Sequence, residues 1–150
     1  MKLKTHSQQE TMAFGEKLAR RLKPGDILCL KGDLGTGKTT LVKGLAKGLG
    51  LKSTQVNSPT FVLMNIYEGK TDLYHFDLYR LEEVNQITVM GWEEFFYGDG
   101  VSVIEWAQRL GGLMPSEYLD IQLKHKGENV RELSITAKGD RYKKILKGLD

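Results

Sequence analysis

The sequence has a single cysteine, Cys29, among its 150 residues, so neither an internal disulfide nor a cysteine-rich zinc site can hold the fold together. Prolines are few, at Pro24, Pro59 and Pro115, and no Pro/Gly/Ser linker, internal repeat or low-complexity tract divides the chain. No apolar run approaches the ~20 residues that cross a bilayer. The first ten residues turn polar after two lysines, without an apolar stretch of signal-peptide length. Charge is also close to balanced: 22 Lys+Arg against 19 Asp+Glu leave +3, too little to argue nucleic-acid binding by itself. What remains is 40% hydrophobic and 27% charged, the composition of an ordinary globular domain in a reducing cytoplasm. A chain of this length is expected to form one domain with a core that needs no staples.

Coarse periodicity organises that domain. Ser7-Gln8-Gln9-Glu10 has the form of a capping box, and apolar residues at helical spacing predict a helix from Gln8 to Leu22, ended by Pro24-Gly25. Asp26 to Lys31 is a short continuous apolar run, expected of a strand buried on both faces. A glycine-rich turn follows, and Thr39 to Leu49 reads as a helix closed by Gly48 and Gly50. Phe61 to Tyr67 and Asp72 to Leu78 predict one antiparallel hairpin, Tyr118 to Lys126 and Val130 to Ala137 a second. Between them lie a short helix, Trp92 to Tyr97, and another buried strand, Val101 to Glu105. The expected architecture is a single α/β domain, with a mixed parallel and antiparallel sheet flanked by helices. The basic tail of about 139–150, with Arg141, Lys143, Lys144 and Lys147, is expected to be a solvated or loosely docked helix.

Gly32-Asp33-Leu34-Gly35-Thr36-Gly37-Lys38-Thr39 carries the chemistry, because it fits the pattern G-x-x-x-x-G-K-T/S between a strand and a helix. Backbone N–H groups from Asp33 through Thr40 and the helix dipole can converge there on the phosphates of a nucleotide. Lys38 supplies charge for the outer phosphates, and the Thr39 hydroxyl can ligate Mg²⁺. Phosphoryl transfer also needs an acid, and Asp77 and Glu105 both end strands; spacing alone leaves open which of them faces the metal. His75 and Cys29 read as packed side chains, and Trp92 and Trp106 as core or interface anchors. Arg80, Arg109 and Arg131 could each face phosphate, yet none has the context of an arginine finger. Neither Asn-Lys-x-Asp nor Asp-x-x-Gly occurs, which disfavours a GTPase. Arginines between Leu49 and Tyr118 are only Arg80 and Arg109, which weakens a small-metabolite kinase without removing it.

The P-loop taken with Ser58-Pro59-Thr60-Phe61, Tyr74-His75-Phe76-Asp77-Leu78-Tyr79-Arg80-Leu81 and Ile104-Glu105-Trp106, in that order, resembles the bacterial TsaE family, formerly YjeE. The resemblance implies an ATPase required for threonylcarbamoyl modification of the adenosine next to the anticodon in tRNA. It also implies work with a TsaB–TsaD complex, in which TsaD is the transferase and ATP hydrolysis supports multiple turnover. By resemblance, Thr39 and Glu105 are the Mg²⁺ ligands, Lys38 the phosphate lysine, Asp77 the acid of hydrolysis and Thr60 a switch-like residue near the γ-phosphate. Trp106 corresponds to the tryptophan after the metal-side glutamate. The stretch from Thr5 to Thr11 and the region of Arg131 are implied to hold the adenine. The family commonly carries a proline after its Glu-Trp pair, whereas Ala107-Gln108-Arg109 follows here, so Arg109 receives little weight. Contact with tRNA is expected to be indirect or weak, and none with a membrane is expected. The alternatives are a small P-loop metabolite kinase and a non-catalytic, nucleotide-dependent assembly switch.

Overall fold

The computed structural model describes residues 1–33, 35–52, 64–81, 88 and 91–149. In chain order it forms β1 (Lys2–Thr5), α1 (Gln8–Ala19), β2 (Ile27–Lys31), α2 (Lys38–Gly48), β3 (Met64–Tyr67), β4 (Leu73–Asp77), α3 (Trp92–Phe96), β5 (Val101–Glu105), a 3₁₀ segment (Ala107–Leu113), β6 (Tyr118–His125), β7 (Arg131–Lys138) and α4 (Asp140–Lys147). The described strands make one sheet in the order β1-β7-β6-β2-β5-β4-β3. β2 pairs in parallel with both β5 and β6, and β5 in parallel with β4. The outer pairs β6/β7, β1/β7 and β3/β4 are antiparallel, so the sheet is mixed, as the two hairpin patterns imply.

Side-chain alternation sorts the core into two layers. Leu28, Leu30, Leu73, Val103, Leu119, Ile121 and Leu133 point to the face that Leu18 of α1 and Leu41 and Leu45 of α2 cover. Ile27, Cys29, Phe76 and Ile104 point to the other face, under Trp92, Phe96 and Leu110. Cys29 is fully buried, and burial pushes its thiol up to about 12, so it is a packed side chain rather than a nucleophile.

Three local readings change. The Ser7 hydroxyl accepts from the Glu10 N–H at 3.0 Å, but the Glu10 carboxylate accepts from the His6 N–H at 2.6 Å rather than from Ser7, and α1 ends at Ala19 instead of Leu22. Gly48, expected to close α2, is its last residue; a Cβ there would stand 2.5 Å from the Glu16 carbonyl oxygen, so close helix approach is what its missing side chain permits. The basic tail is corrected most. It is not loosely docked: Tyr142, Ile145 and Leu149 are buried in the core, and the Ile27 N–H donates to the Tyr142 hydroxyl at 2.8 Å. Arg141 pairs with buried Asp26 at 2.8 Å, while Lys143, Lys144 and Lys147 stay exposed.

Candidate functional site

β2 delivers the chain into the turn Gly32–Gly37, and α2 starts at Lys38. Gly37, the N-cap residue, has φ 100, a left-handed backbone that a side chain would strain. Gly32 is also required by space, since a Cβ would lie 2.6 Å from the Leu123 carbonyl oxygen of β6. The buried Thr36 hydroxyl donates to the Asp33 carbonyl at 2.8 Å and tightens the turn. From outside, Arg131 Nη2 and His125 Nε2 both donate to the Gly35 carbonyl, at 3.3 and 3.2 Å. Thr39 and Thr40 lie half-buried in the first turn of α2. Asp33 and Gly35 are exposed.

Lys38 is the buried cation of the site. Its Nζ donates to the Gly32 carbonyl and, at 3.3 Å, to the Asp33 carbonyl, and stands 4.0 Å over the Trp106 ring. Burial pushes its ammonium below the ordinary value, against the pull of Glu105, Asp77 and Asp33. Trp106 holds a left-handed backbone, φ 58, unusual for a bulky residue and worth about 1–3 kcal/mol of strain. Its N–H bond to the Leu30 carbonyl at 3.1 Å and the Tyr79 ring 5.1 Å away hold it in that conformation.

Asp77 and Glu105 are register partners at the carboxyl ends of β4 and β5, and Glu105 is also paired with Leu30 of β2. Both carboxylates therefore stand beside the P-loop on the face that α2 covers. Asp77 is half-buried and accepts the Tyr79 N–H at 3.0 Å; burial pushes its carboxyl up, with nearby Glu105 adding to the shift against the effects of Tyr79, His75 and Lys38. Glu105 is 3% exposed and receives His75 Nε2 at 2.5 Å, a bond absent from the sequence reading, although two-residue spacing to Asp77 puts His75 on the same strand face.

The remaining expectations separate. Thr5 pairs with Arg131 across β1 and β7, so the two stretches implied to hold adenine are neighbours. Thr11 is buried, donates to the Ser7 carbonyl at 3.3 Å and shares a 2.7 Å hydroxyl bond with Thr5, so its hydroxyl builds the β1–α1 corner. Arg109 Nη1 donates to the Leu81 carbonyl at 3.3 Å and not to the Gly35 carbonyl that Arg131 grips. Leu34 and Thr60 lie outside the described residues. The Thr39 hydroxyl and Glu105 carboxylate are hard oxygen donors of the kind that suits Mg²⁺, which commonly takes one or two protein ligands and completes its shell with phosphate and water. Among the described residues no group of three His, Cys, Asp or Glu forms a closed metal cage, so a Mg²⁺ here would draw on the nucleotide's own oxygens.

With this geometry in place, the family model for "Threonylcarbamoyl adenosine biosynthesis protein TsaE" matches residues 5–133. The chain belongs to the TsaE family. A Bacillus subtilis (strain 168) TsaE relative, named a tRNA threonylcarbamoyladenosine biosynthesis protein, is 43% identical over 150 residues, covering 99% of this chain and 93% of the relative. The Treponema pallidum (strain Nichols) TsaE of the same name is 38% identical over 135 residues, covering 90% of this chain and 99% of the relative. The crystal structure of Bacillus subtilis YdiB superposes with a TM-score of 0.84 at 39% identity, covering 99% of this chain and 93% of that one. The P-loop α/β fold is thus the fold of a TsaE-type structure. None of the described helices is long and apolar enough to cross a membrane.

Proposed function

We propose that this chain binds ATP with Mg²⁺ and hydrolyses it in the service of threonylcarbamoyladenosine synthesis in tRNA, acting in the cytoplasm as the ATPase partner of a TsaB–TsaD complex. The observation that carries this reading is the convergence of Lys38, Asp77 and Glu105 on one edge of the sheet, beside a glycine turn that opens α2. Ligands of open α/β sheets bind beyond the carboxyl ends of the strands, and phosphates favour a helix N-terminus.

Turn amides and the dipole of α2 bind the phosphates, and Lys38 exchanges its bonds to the Gly32 and Asp33 carbonyls for phosphate oxygens. Thr39 and Glu105 would hold Mg²⁺, whose charge would offset that of the nucleotide phosphates. Asp77 orients the attacking water and takes its proton as the water oxygen bonds to the γ-phosphorus. The bond from that phosphorus to the β–γ bridging oxygen breaks, releasing ADP and inorganic phosphate. Burial makes Asp77 a stronger base than an exposed aspartate, which suits this role. Arg131 grips Gly35 and Arg109 reaches Leu81, so neither is aimed as an inserted arginine. An inserted arginine is worth 10³–10⁵ in rate in related enzymes, so turnover by the chain alone is expected to be slow and to rise with partners.

ATP hydrolysis by the purified chain, with and without TsaB–TsaD, tests this. Stimulation by the complex is expected, lost in Lys38→Ala and in Asp77→Ala, with Asp77→Ala still binding nucleotide. Equal turnover in both conditions removes partner activation. Binding without hydrolysis in either makes the chain an assembly switch, and transfer of the γ-phosphate to an acceptor other than water makes it a kinase.

A further inference from the structure

His75 has no part in the chemistry above, yet it is a polar side chain sealed inside the sheet. It occupies β4 between Leu73 and Asp77, on the face where Val103 of β5 and Leu28 of β2 are apolar. The ring is fully buried. Nε2 lies 2.5 Å from Glu105 Oε2, and Nδ1 has no hydrogen-bond partner among the described residues. A buried ring nitrogen without a partner is a cost that an aliphatic side chain at this position would avoid. The arrangement is least costly with the proton on Nε2, which then donates to the carboxylate and leaves only a lone pair unmatched.

That single bond bears on how Glu105 can be used. A glutamate has three rotatable bonds, and Lys38 is near enough to attract this one electrostatically. Lys38 nevertheless bonds to the Gly32 and Asp33 carbonyls, while Glu105 bonds to His75. The imidazole therefore withholds the carboxylate from the lysine and fixes its rotation. It engages Oε2 and leaves Oε1 outside the bond.

We propose that His75 is a positioning residue: its Nε2–H clamps Oε2 of Glu105 so that Oε1 is presented to the magnesium ion of a bound nucleotide. The inference rests on the reading of Glu105 as a magnesium ligand. Outer hydrogen bonds of this kind typically change metal affinity 10- to 100-fold when removed.

The test measures binding of a fluorescent, non-hydrolysable ATP analogue to the full chain, without Mg²⁺ and across a Mg²⁺ titration, together with thermal unfolding of the nucleotide-free protein. His75→Phe keeps an aromatic ring and loses the donor; His75→Gln keeps an N–H donor. Expected for His75→Phe is a folded protein whose Mg²⁺-free binding stays within twofold of wild type, while half-saturating Mg²⁺ rises 10- to 100-fold. His75→Gln should recover most of that loss, and adding His75→Phe to Glu105→Gln should change the Mg²⁺ dependence no further. Should His75→Phe not fold, His75→Asn, whose shorter amide falls short of Oε2, replaces it with the same shift required. Unchanged half-saturation in the folded donor-less variant, while Glu105→Gln shifts it, overturns the positioning role alone. Failure of His75→Gln to recover, or a full further loss in the Glu105→Gln background, overturns it too. If Glu105→Gln itself leaves the Mg²⁺ dependence untouched, the metal-ligand reading falls and this inference falls with it.

Discussion

Alanine at Gly44 sets two effects against each other, and the structure decides which wins. In a helix interior, glycine to alanine is worth about 0.8–1 kcal/mol in favour of folding. At Gly44, however, a Cβ would lie 2.9 Å from the Met12 carbonyl carbon and 3.0 Å from its Cα, with the Met12 carbonyl oxygen inside hard contact. All three atoms are backbone of α1, so no side-chain rotation relieves the overlap. α1 cannot simply retreat, because Gly15 brings its own Cβ position to 2.7 Å from the Leu41 carbonyl oxygen of α2, and the hydroxyl bond of Thr11 to Thr5 ties its first turn to β1. Overpacking of this type costs about 1–3 kcal/mol and sometimes more. With three backbone atoms struck at once the upper part of that range, about 2–3 kcal/mol, applies; after the propensity gain Gly44→Ala should lose about 1–2 kcal/mol, lowering the urea midpoint by about 0.5–1 M. The displaced helix carries Lys38 and Thr39 in its first turn, so nucleotide affinity should fall along with stability. Gly112→Ala, with nothing within 4 Å of its Cβ position, is the control and should stay within about 0.5 kcal/mol of wild type. A Gly44→Ala midpoint at or above wild type refutes the argument that backbone contact, not propensity, fixes this residue.

Two further expectations concern the P-loop turn and the core. Arg131→Ala removes one of two donors on the Gly35 carbonyl and should raise the nucleotide Kd about two- to tenfold by calorimetry; its effect should not add to that of His125→Ala, because both act on one oxygen. Stability should fall at alkaline pH: an unfolded thiol titrates near 9.0 and buried Cys29 near about 12, so above pH 9 the native state holds a proton that the unfolded chain has released. The Cys29 contribution is therefore complete below pH 9 and declines by about 1.4 kcal/mol per pH unit above it, and Tyr142, pushed up to about 12 by burial, acts in the same direction from pH 10. Urea midpoints that stay flat from pH 8 to 11 would count against both.

Local structure was legible in the sequence, and long-range registration was not. Ile27 to Lys31 could be read because a strand buried on both faces leaves a continuous apolar run, and the P-loop because its pattern sits between that strand and a helix. Asp77 and Glu105 were visible as strand ends, but their adjacency follows from β4/β5 pairing across 28 residues of chain. β1 was missed because Lys2-Leu3-Lys4-Thr5 has little apolar signal and becomes a strand only by pairing with β7. The tail was misjudged because its charges were counted before its spacing: Tyr142, Ile145 and Leu149 recur at helical intervals and form the buried stripe. His75–Glu105, and the grip of His125 and Arg131 on Gly35, join residues 30, 90 and 96 apart, beyond any local pattern.

Strand direction explains why these distant groups meet. β2, β4, β5 and β6 run parallel, so Lys31, Asp77, Glu105 and His125 finish on one edge of the sheet. β7 runs against β6 and β1 against β7, which brings the start of one at Arg131 and the end of the other at Thr5 to the same edge. The site residues also continue buried rows: Leu119, Ile121 and Leu123 lead to His125, Val101 and Val103 to Glu105, and Leu73, through the buried polar His75, to Asp77, all on the face covered by α1 and α2. Each row is held in place by burying its apolar members, and the polar residue at its end is aimed by the same alternation. A one-residue slip of the β6/β7 register, unbroken from Tyr118↔Lys138 to His125↔Arg131, would expose Leu133 and Ile135 and turn Arg131 away from Gly35. The hydrophobic core therefore sets the P-loop turn: the side-chain period that buries the leucines also directs the groups that grip it.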